Sequence, residues 1–558
     1  MRNHKFPEII DYPDKIIMQV DSDWHPLERL GSDWLWQDVR VTTQVADTMM
    51  AIQVSGKVEI HVTARETPMS RIVLFWNRES VPGARYLGDH WERGYGDLEW
   101  RVLVPERVMP WFFLASNGQQ TRGYGVETGA KAMCFWQVND QFISLCLDVR
   151  NGGSGVCLNG RELLAATVVS ETGDGQANPF QVMRSFCRRM SPKPLLPPEP
   201  VYGGNNWYYA YGKSSHAEIV ADSVFISSLA PAGTNRPFMV IDDGWQLSRQ
   251  TGEDSLWQKG NGKFPDMAGL AGAMKAEGVR PGIWVRPLLA PDHTPASLCL
   301  PDERFKSTLR HRFLDPSLPE ALERVRSDTA CLVESGYQLI KHDYTTFDIL
   351  GRWGFEMATE LTNCGWHFQD TSKTTAEIIT GLYRVIRQAA GKSQIIGCNT
   401  VGHLAAGLVE MQRTGDDTSG RQWERTRKMG VNTLAFTLAK HGTFFAIDAD
   451  CAGITPDIPW ELNQQWLDVL ARSGTPLFVS ASPGTGDVEK QAIREAFALA
   501  ARADWPTGGP VGHPSAGPHQ LENSHDEPLD WMDTTCPARW RLRGELKTYA
   551  WHRDDRIE

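Results

Sequence analysis

Long apolar runs and an excess of basic charge are both missing from this sequence. The sequence has 558 residues and contains no run of about 18 apolar residues, so we expect no membrane-spanning helix. Asp and Glu number 68 against 57 Lys and Arg, a formal net charge of -11. That balance argues against nucleic acid and membranes as partners. The N-terminal residues lack the apolar core of a signal peptide, and we expect a cytoplasmic protein.

Cysteine pairs are also missing. The ten cysteines are scattered, with no Cys-x-x-Cys pair and no Cys/His set at zinc spacing. Several lie in apolar segments, as Cys146 does in FISLCLDV, where a reduced buried thiol is the usual state. The sequence contains no EF-hand loop, P-loop or dinucleotide fingerprint. We therefore expect a reducing compartment, no metal and no cofactor.

What the sequence does contain begins with β structure. From about residue 15 to residue 185, short segments rich in β-branched and aromatic residues alternate with Gly, Pro, Asn and Asp clusters. Examples are VRVTTQVA, RIVLFWN, LEWRVLVP, KAMCFWQV and FISLCLDV. We expect residues 1–190 to form an all-β, sandwich-like domain. The segment SPKPLLPPEP at 191–200 is a proline-rich linker and marks the clearest domain boundary.

After the linker, short apolar strands alternate with helical stretches, the pattern of parallel βαβ units. Eight candidate strands can be counted: 200–207, 236–243, 280–287, 337–343, 393–399, 408–414, 443–450 and 475–482. Eight such repeats over roughly 300 residues predict a (β/α)8 TIM barrel, which we place at 201–504. Residues 505–558 are predicted to add a small C-terminal β segment. The fold class is therefore multidomain α/β.

Carboxylates gather at the C-terminal ends of the predicted strands, where barrels of this kind place their chemistry. They are Asp242 and Asp243 after the second strand, Asp343 after the fourth, Asp416 and Asp417 after the sixth, and Asp448 and Asp450 on the seventh. One such Asp is usually a helix cap or a turn residue. Acidic residues at four strand ends of one barrel are much harder to explain in that way.

Glycoside hydrolysis is the chemistry that this pattern suits. Cleaving an acetal needs an acid to protonate the leaving oxygen and a carboxylate to meet an oxocarbenium-like carbon. Carboxylates about 5–5.5 Å apart would give a retaining mechanism with a covalent intermediate. Lys341 projects to the same side of its strand as Asp343 and can bond a sugar hydroxyl. Arg413 is placed to orient a carboxylate or sugar oxygens.

These segments resemble the glycoside hydrolase clan that contains families 27 and 36, the α-galactosidases and α-N-acetylgalactosaminidases. The segments that carry the resemblance are GGNNWYY (203–209), VIDDGWQ (240–246), LIKHD (339–343), IGCN (396–399) and RTGDD (413–417). Their order and rough spacing also match, over about residues 195–485. A β domain ahead of the barrel favours family 36.

The resemblance implies roles for particular residues. It makes Asp343 the nucleophile of LIKHD, and Asp417, four residues after Arg413, the acid/base rather than its neighbour Asp416. It assigns galactose hydroxyls to Asp242 and Asp243.

The resemblance also places Cys398 near the sugar 2-hydroxyl. Trp207 and Trp245 follow strand ends, where they are expected to stack on a sugar or wall the pocket. We count Lys341, Arg413 and Asp416 with these substrate-binding residues.

The segment YLGDHWERGYGDLEW at 86–100 is unusually dense in aromatic and charged residues. It is either a loop that only joins two strands or one that reaches the barrel mouth and helps form the leaving-group site. The sequence does not decide between them.

The predicted function is a retaining hydrolase of terminal α-galactosides, with an oligosaccharide or glycoside as its partner. Alternatives are a transglycosylase like the raffinose synthases, or a hydrolase of α-N-acetylgalactosaminides or β-L-arabinopyranosides. A binding protein without catalysis is disfavoured by the presence of both Asp343 and Asp417. A metal-dependent hydrolase is disfavoured because the sequence has no clustered His ligands. The oligomeric state, including a homo-oligomer, stays open.

Overall fold

The computed structural model describes residues 12–47, 55–77, 81–173, 178–305, 311–502 and 526–552. Within the first three of these ranges lie two antiparallel sheets, of six strands (β2-β1-β7-β13-β12-β9) and eight strands (β3-β4-β5-β6-β14-β11-β10-β8). Their strands are β1 (Lys15–Val20), β2 (Asp23–Pro26), β3 (Glu28–Leu30), β4 (Asp33–Trp36), β5 (Val39–Asp47), β6 (Ser55–Thr63), β7 (Arg71–Asn77), β8 (Arg85–Gly88), β9 (Met109–Pro110), β10 (Phe112–Ser116), β11 (Thr121–Val126), β12 (Met133–Val138), β13 (Phe142–Asp148) and β14 (Glu162–Thr172).

The two sheets pack against each other through aromatic side chains. Phe113 of the eight-stranded sheet meets Trp136 of the six-stranded sheet edge-on, with ring centroids 5.7 Å apart. Trp136 also stacks on Trp76 at 6.1 Å within its own sheet. Both tryptophans are fully buried. Two antiparallel sheets that share an aromatic core form the kind of arrangement that the sequence predicts here.

Two details of this region differ from the sequence prediction. Residues 98–105 form no strand and make only an isolated bridge at Arg101, because Val102 faces solvent and Pro105 ends the segment. Residues 179–190, expected to be β structure, form a helix, α1 (Pro179–Met190). Asn178 begins it with a capping box to Gln181, and proline occupies its first turn.

The rest of the chain adds a parallel sheet with helices between its strands. In chain order the strands are β15 (Tyr202–Asn205), β16 (Phe238–Ile241), β17 (Arg280–Val285), β18 (Leu289–Ala290), β19 (Arg312–Phe313), β20 (Leu339–His342), β21 (Gln394–Gly397), β22 (Met411–Arg413), β23 (Ala446–Asp448), β24 (Cys451–Gly453) and β25 (Leu477–Ser480). The helices are α2 (Trp207–Ala210), α3 (His216–Leu229), α4 (Met267–Ala276), α5 (Pro319–Glu334), α6 (Thr345–Leu350), α7 (Thr375–Ala390), α8 (Gly402–Ala405), α9 (Trp423–Thr426), α10 (Thr433–Thr437), α11 (Trp460–Ser473) and α12 (Asp487–Ala500).

Among the described residues this sheet has nine strands, in the order β23-β22-β21-β20-β17-β16-β15-β25-β24. Its two outermost strands, β23 and β24, are separated in sequence only by Ala449 and Asp450. The sheet must therefore curl round until its two edges meet at one chain segment, as in a TIM barrel. Each of the eight predicted strands corresponds to a strand of this sheet. The ninth strand arises because the chain at the seventh position is interrupted at Ala449 and Asp450, which separate β23 from β24. The small pair β18 and β19 forms a separate antiparallel sheet.

Helix α7 shows how the sequence builds the layer around the sheet. Thr374 caps it, and the Thr374 and Glu377 side chains exchange bonds with the backbone in a capping box. Ile379, Leu382 and Ile386 are buried along one face at helical spacing. The helix connects β20 to β21, so its apolar face covers the outside of two site-bearing strands.

Three further strands, β26 (Glu527–Pro528), β27 (Arg539–Leu542) and β28 (Glu545–Thr548), form an antiparallel sheet near the C-terminus. Trp540 is fully buried there. The carbonyl of Trp551 accepts a bond from Trp423 Nε1 at 2.7 Å, which ties this region to the helices of the parallel sheet. Part of the predicted 505–558 segment lies outside the described residues, and the predicted domain boundaries remain predictions. In the described part of the chain, no helix is both long and apolar enough to cross a membrane.

Candidate active site

The strand β20 presents the centre of the site. Lys341 points to the inside of the curled sheet, where its Nζ contacts Asp242. His342 points the other way and lies 5.7 Å from the Tyr383 ring of α7. This alternation is the two-residue period of a strand, so Asp343 returns to the same side as Lys341.

Asp343 is held by donors on both carboxylate oxygens. Its Oδ1 accepts the backbone N–H of Tyr344 at 2.7 Å, and its Oδ2 accepts Trp284 Nε1 at 3.3 Å. Tyr344 has a left-handed backbone (φ 62°), which turns its N–H back toward the carboxylate. Trp284 lies on the neighbouring strand β17, and the sequence prediction missed it. The nucleophile candidate is thus oriented before any substrate binds.

Lys341 and Asp242 form a buried ion pair behind Asp343. Lys341 Nζ lies 2.6 Å from Asp242 Oδ2, and Asn205 Nδ2 donates to the same oxygen at 2.8 Å. Burial opposes the charge on Lys341, but the Asp242 carboxylate raises the pKa of Lys341 well above its usual value. Lys341 therefore keeps its charge in a nearly solvent-free position.

The segment after Asp242 bends sharply at Gly244, which has a φ of 110°. A Cβ at Gly244 would lie 2.6 Å from the carbonyl oxygen of Gly212, so only glycine fits this close approach. The bend directs the half-buried Asp243 to one side, where its Oδ1 accepts Gln246 Nε2 at 2.6 Å. Burial raises the pKa of Asp243.

The two tryptophans of the prediction lie in different environments. Trp245 is fully buried, its Nε1 donates to the carbonyl of Trp284 at 2.9 Å, and Trp257 packs on it edge-on. That position leaves no indole surface for a sugar. Trp207 follows β15, is only partly buried and packs against Tyr211 at 5.5 Å. Of these two tryptophans, Trp207 alone keeps an exposed surface at the strand ends.

Arg413, at the end of β22, is surrounded by acceptors. Its Nη2 lies 2.9 Å from Asp417 and 2.7 Å from Asp450, and its Nη1 lies 3.2 Å from the sulfur of Cys398. Asp450 sits in the interruption between β23 and β24 with a left-handed backbone (φ 70°) and also accepts from Thr418. The arginine thereby links three strand ends into one charged network.

Asp416 and Asp417, adjacent in sequence, differ in what holds them. Both oxygens of Asp416 face arginines, Arg93 at 2.9 Å and Arg425 at 2.6 Å, and its side chain is 16% exposed. The Asp417 side chain is 40% exposed, with Arg413 at 2.9 Å and Arg93 at 3.7 Å from the same oxygen. Asp417 thus keeps carboxylate surface open to solvent, whereas Asp416 is committed to its two ion pairs.

Arg93 is a site residue that the sequence prediction did not single out. It belongs to the aromatic, charged segment 86–100, which the structure brings to the end of the parallel sheet. Gly94 donates to the carbonyl of Thr414 at 2.7 Å and accepts the N–H of Asp416 at 2.8 Å. The segment therefore pairs with the backbone that carries the acid/base candidate. The density of aromatic and charged residues was the only signal in the sequence.

Glu92 anchors the same segment to two loops of the parallel sheet. Its carboxylate accepts the N–H of Gly354 at 2.7 Å, the Asn399 side-chain amide and the Tyr95 hydroxyl. A Cβ at Gly354 would meet Glu92 Cγ at 2.7 Å, so glycine permits this approach. Burial raises the pKa of Glu92 to about 7 although Arg93 opposes the shift.

Carboxylates from three strand ends influence the phenol of Tyr344. Burial raises the pKa of Tyr344, and the negative charges of Asp343, Asp417 and Asp243 add to that effect. The strand register relates two of these carboxylates directly: Asp343 and Cys398 follow the paired residues His342 and Gly397, and Arg413 contacts both Cys398 and Asp417. In the described residues, no group of three or more His, Cys, Asp or Glu side chains could hold a metal ion.

No family model matches the sequence, and no curated protein matches it. Solved structures match the fold. The α-galactosidase of Thermus thermophilus in complex with p-nitrophenyl α-D-galactopyranoside matches with a TM-score of 0.59 and 15% identity, over 96% of this chain and 99% of that one. The chain has the fold of an α-galactosidase.

Other structures identify the fold as that of glycoside hydrolase family 36. The family 36 α-galactosidase AgaA of Geobacillus stearothermophilus matches with a TM-score of 0.54 and 15% identity, over 89% of this chain and 74% of that one. The galactosidase domain of an α-galactosidase–sucrose kinase matches with a TM-score of 0.58 and 15% identity, over 89% of this chain and 70% of that one. At this identity the family 36 fold is shared, and residue roles must be argued from the site.

Proposed function

We propose that this chain is a retaining glycosidase that cleaves terminal α-galactosides, with Asp343 as nucleophile and Asp417 as general acid/base. The observation that carries the proposal is the geometry of neighbouring strand ends in a family 36 fold: Asp343 follows the pair His342 and Gly397 in step with Cys398, and Arg413 contacts both Cys398 and Asp417. A pure sugar-binding protein has no use for a nucleophile and an acid/base.

The environment of Asp343 supports the nucleophilic role. Two donors fix its carboxylate, and the cation of Lys341 lies on the same face of the strand. An oriented carboxylate can attack the anomeric carbon and form a glycosyl ester. The ion pair of Lys341 with Asp242 then offers a cation and an anion to neighbouring sugar hydroxyls.

The exposure of Asp417 supports its role as acid/base in preference to Asp416. A general acid must reach the leaving oxygen and exchange its proton with water. Asp417 has open carboxylate surface, while Asp416 is bound on both oxygens by arginines. Partial desolvation would raise the pKa of Asp417, but the cations of Arg413 and then Arg93 outweigh it and lower that pKa. Since a lowered pKa removes the acid's proton at lower pH, we expect activity to decline on the alkaline side of an acidic optimum.

A glycoside screen tests the proposal directly. Nitrophenyl α-galactoside, α-N-acetylgalactosaminide, α-glucoside and β-L-arabinopyranoside should be compared at several pH values. We expect α-galactoside to be cleaved fastest, with the α anomer of galactose as the first product by NMR. If the β anomer of galactose is formed first, the mechanism is not retaining. If another glycone is cleaved faster, the proposed α-galactoside specificity is wrong.

Transglycosylation stays the alternative within the same chemistry, because the glycosyl–Asp343 ester can be opened by a sugar hydroxyl instead of water. Product analysis with and without an acceptor such as sucrose separates the two. The cytoplasmic location, the homo-oligomer and the division into domains at 191–200 and 505 stay predictions beside this proposal.

A further inference from the structure

Phe355 is the most exposed of the large aromatic side chains in the described part of the chain, at 64%. Tyr12 and Trp24, the other exposed aromatics there, reach 38% and 46%. A phenyl ring left this open to water lacks the burial that normally stabilises it. Its position relative to Asp417 suggests what covers it.

The backbone around Phe355 is fixed. Phe355 lies in a short 3-10 turn (Gly354–Glu356), and the backbone N–H of Trp353 donates to Glu356 at 3.0 Å. The Gly354 N–H donates to Glu92. Trp353 itself stacks on Phe347 at 4.4 Å, which anchors the start of the turn. The exposed ring is therefore presented on a rigid support.

A short chain of contacts connects this ring to the acid/base candidate. Arg93 lies 3.7 Å from Asp417, and its guanidinium lies 5.9 Å from the centroid of Tyr95. The Tyr95 ring meets Phe355 edge-on at 4.8 Å, and its hydroxyl is fixed by Glu92. Tyr95 and Phe355, which we call the aromatic rim, are thus linked to Asp417 through Arg93, and Phe355 is the more exposed of the two rings.

We propose that the aromatic rim is the leaving-group subsite, and that it takes a ring-shaped aglycone, which it contacts through a flat or C–H-lined face. This inference rests on the proposed function. A general acid protonates the oxygen that joins glycone to aglycone, so the aglycone must lie on the side of Asp417. Aromatic rings and the apolar faces of pyranoses both pack well on phenyl and phenol rings.

The test compares substrates that share galactose and differ in the leaving group. α-Galactosyl fluoride has no aglycone ring, p-nitrophenyl α-galactoside has an aryl ring, and melibiose has a pyranose. kcat/KM is measured on all three for the parent chain and for Phe355→Ala. Leu546→Ala is the matched control, because Leu546 is also 64% exposed and lies in the C-terminal sheet.

For Phe355→Ala we expect kcat/KM on the ring-bearing substrates, relative to that on the fluoride, to fall roughly three- to tenfold. A fall for the aryl substrate alone assigns the rim to aryl aglycones, and a fall for melibiose alone assigns it to sugars. Phe355→Trp should restore the ratio, and Leu546→Ala should keep the parent ratio.

Two results overturn the inference while leaving the proposed function intact. One is an unchanged ratio in Phe355→Ala, and the other is an equal loss on the fluoride and the ring-bearing substrates. If the parent chain hydrolyses neither the fluoride nor any α-galactoside, the proposed function itself fails and the inference fails with it.

Discussion

The inner and outer halves of the candidate site are built in different ways. The inner half consists of Asp242, Lys341 and Asp343, which stand on strand ends of the curled parallel sheet within about a hundred residues of one another. The outer half joins Glu92 and Arg93 of the N-terminal β region to groups more than 250 residues away. The inner half is formed by the ends of neighbouring parallel strands. The outer half is formed by contacts between segments that are distant in sequence.

That difference shows which part of a site a sequence can specify. Parallel strands bring their C-terminal ends to one edge by necessity, so residues there must meet once the barrel forms. No comparable rule directs residue 93 to residue 416. We therefore expect changes at Asp417 and in the inner half to affect the chemistry, and changes at Glu92 and Arg93 to affect pH behaviour and stability.

The largest effect should come from removing a carboxylate of the reacting pair. Asp417→Ala should lower kcat by about two to four orders of magnitude, since general acid catalysis is worth that much. Asp343→Ala should abolish turnover, and azide should partly rescue both Asp343→Gly and Asp417→Ala. Steady-state kinetics measure this, with circular dichroism to verify the fold. If Asp416→Ala is inactive and Asp417→Ala is active, the general acid is Asp416 and not Asp417.

The next effect concerns glycone selection by the inner half. A site whose carboxylates bond an axial 4-hydroxyl loses those bonds when the epimer binds. With charge-assisted bonds worth about 1.5–3 kcal/mol each, α-galactoside should exceed α-glucoside by at least about a hundredfold in kcat/KM. Asp242→Asn should narrow that ratio. Comparable rates on both epimers in the parent chain would show that these aspartates do not select the 4-hydroxyl.

In the outer half, Glu92 should make stability depend on pH. Its pKa is about 7 in the folded chain against an ordinary 4.5, so the folded state holds a proton that the unfolded state has lost between those values. The free energy of unfolding should therefore fall as pH rises from about 4.5 to 7, by on the order of 3 kcal/mol.

Glu92→Gln removes this titration. The stability of Glu92→Gln relative to the parent should thus increase as pH rises from 5 to 8, in urea unfolding at each pH. Glu99→Gln serves as a control on the same segment. A pH-independent difference between Glu92→Gln and the parent would contradict the assigned titration.

The smallest effect should come from Arg93. Since its charge lowers the pKa of Asp417, Arg93→Met should move the alkaline limb of the kcat/KM profile to higher pH. Arg93→Lys keeps the charge and should leave the limb near that of the parent. A purely structural Arg93 would lower kcat/KM equally at all pH values and leave the limb in place.

The sequence predicted that Asp242, Lys341 and Asp343 lie at strand ends, because the number and ends of the strands can be read from the local pattern of apolar residues. The eight strands and the two antiparallel sheets were predicted for the same reason. It missed Arg93, whose partners are distant in sequence, and Trp284, because no polar pattern marks an indole that donates to Asp343 from the adjacent strand. It predicted that Trp245 stacks on a sugar or walls the pocket, but after the bend at Gly244 this side chain is fully buried. Helix α1 was missed because its capping box lies in a region of strong β propensity.

The pairing of Gly94 with the Thr414–Asp416 backbone has a consequence for how the protein is made. Arg93 leaves the ribosome about 320 residues before Asp416, which corresponds to roughly 15–65 s at ordinary rates of translation. During that interval the β region can fold, but Arg93 and Gly94 lack their partners Asp416 and Thr414. The acid/base end of the site therefore comes together only after the sixth barrel strand has been synthesised, so a nascent chain has no complete catalytic pair until late in translation.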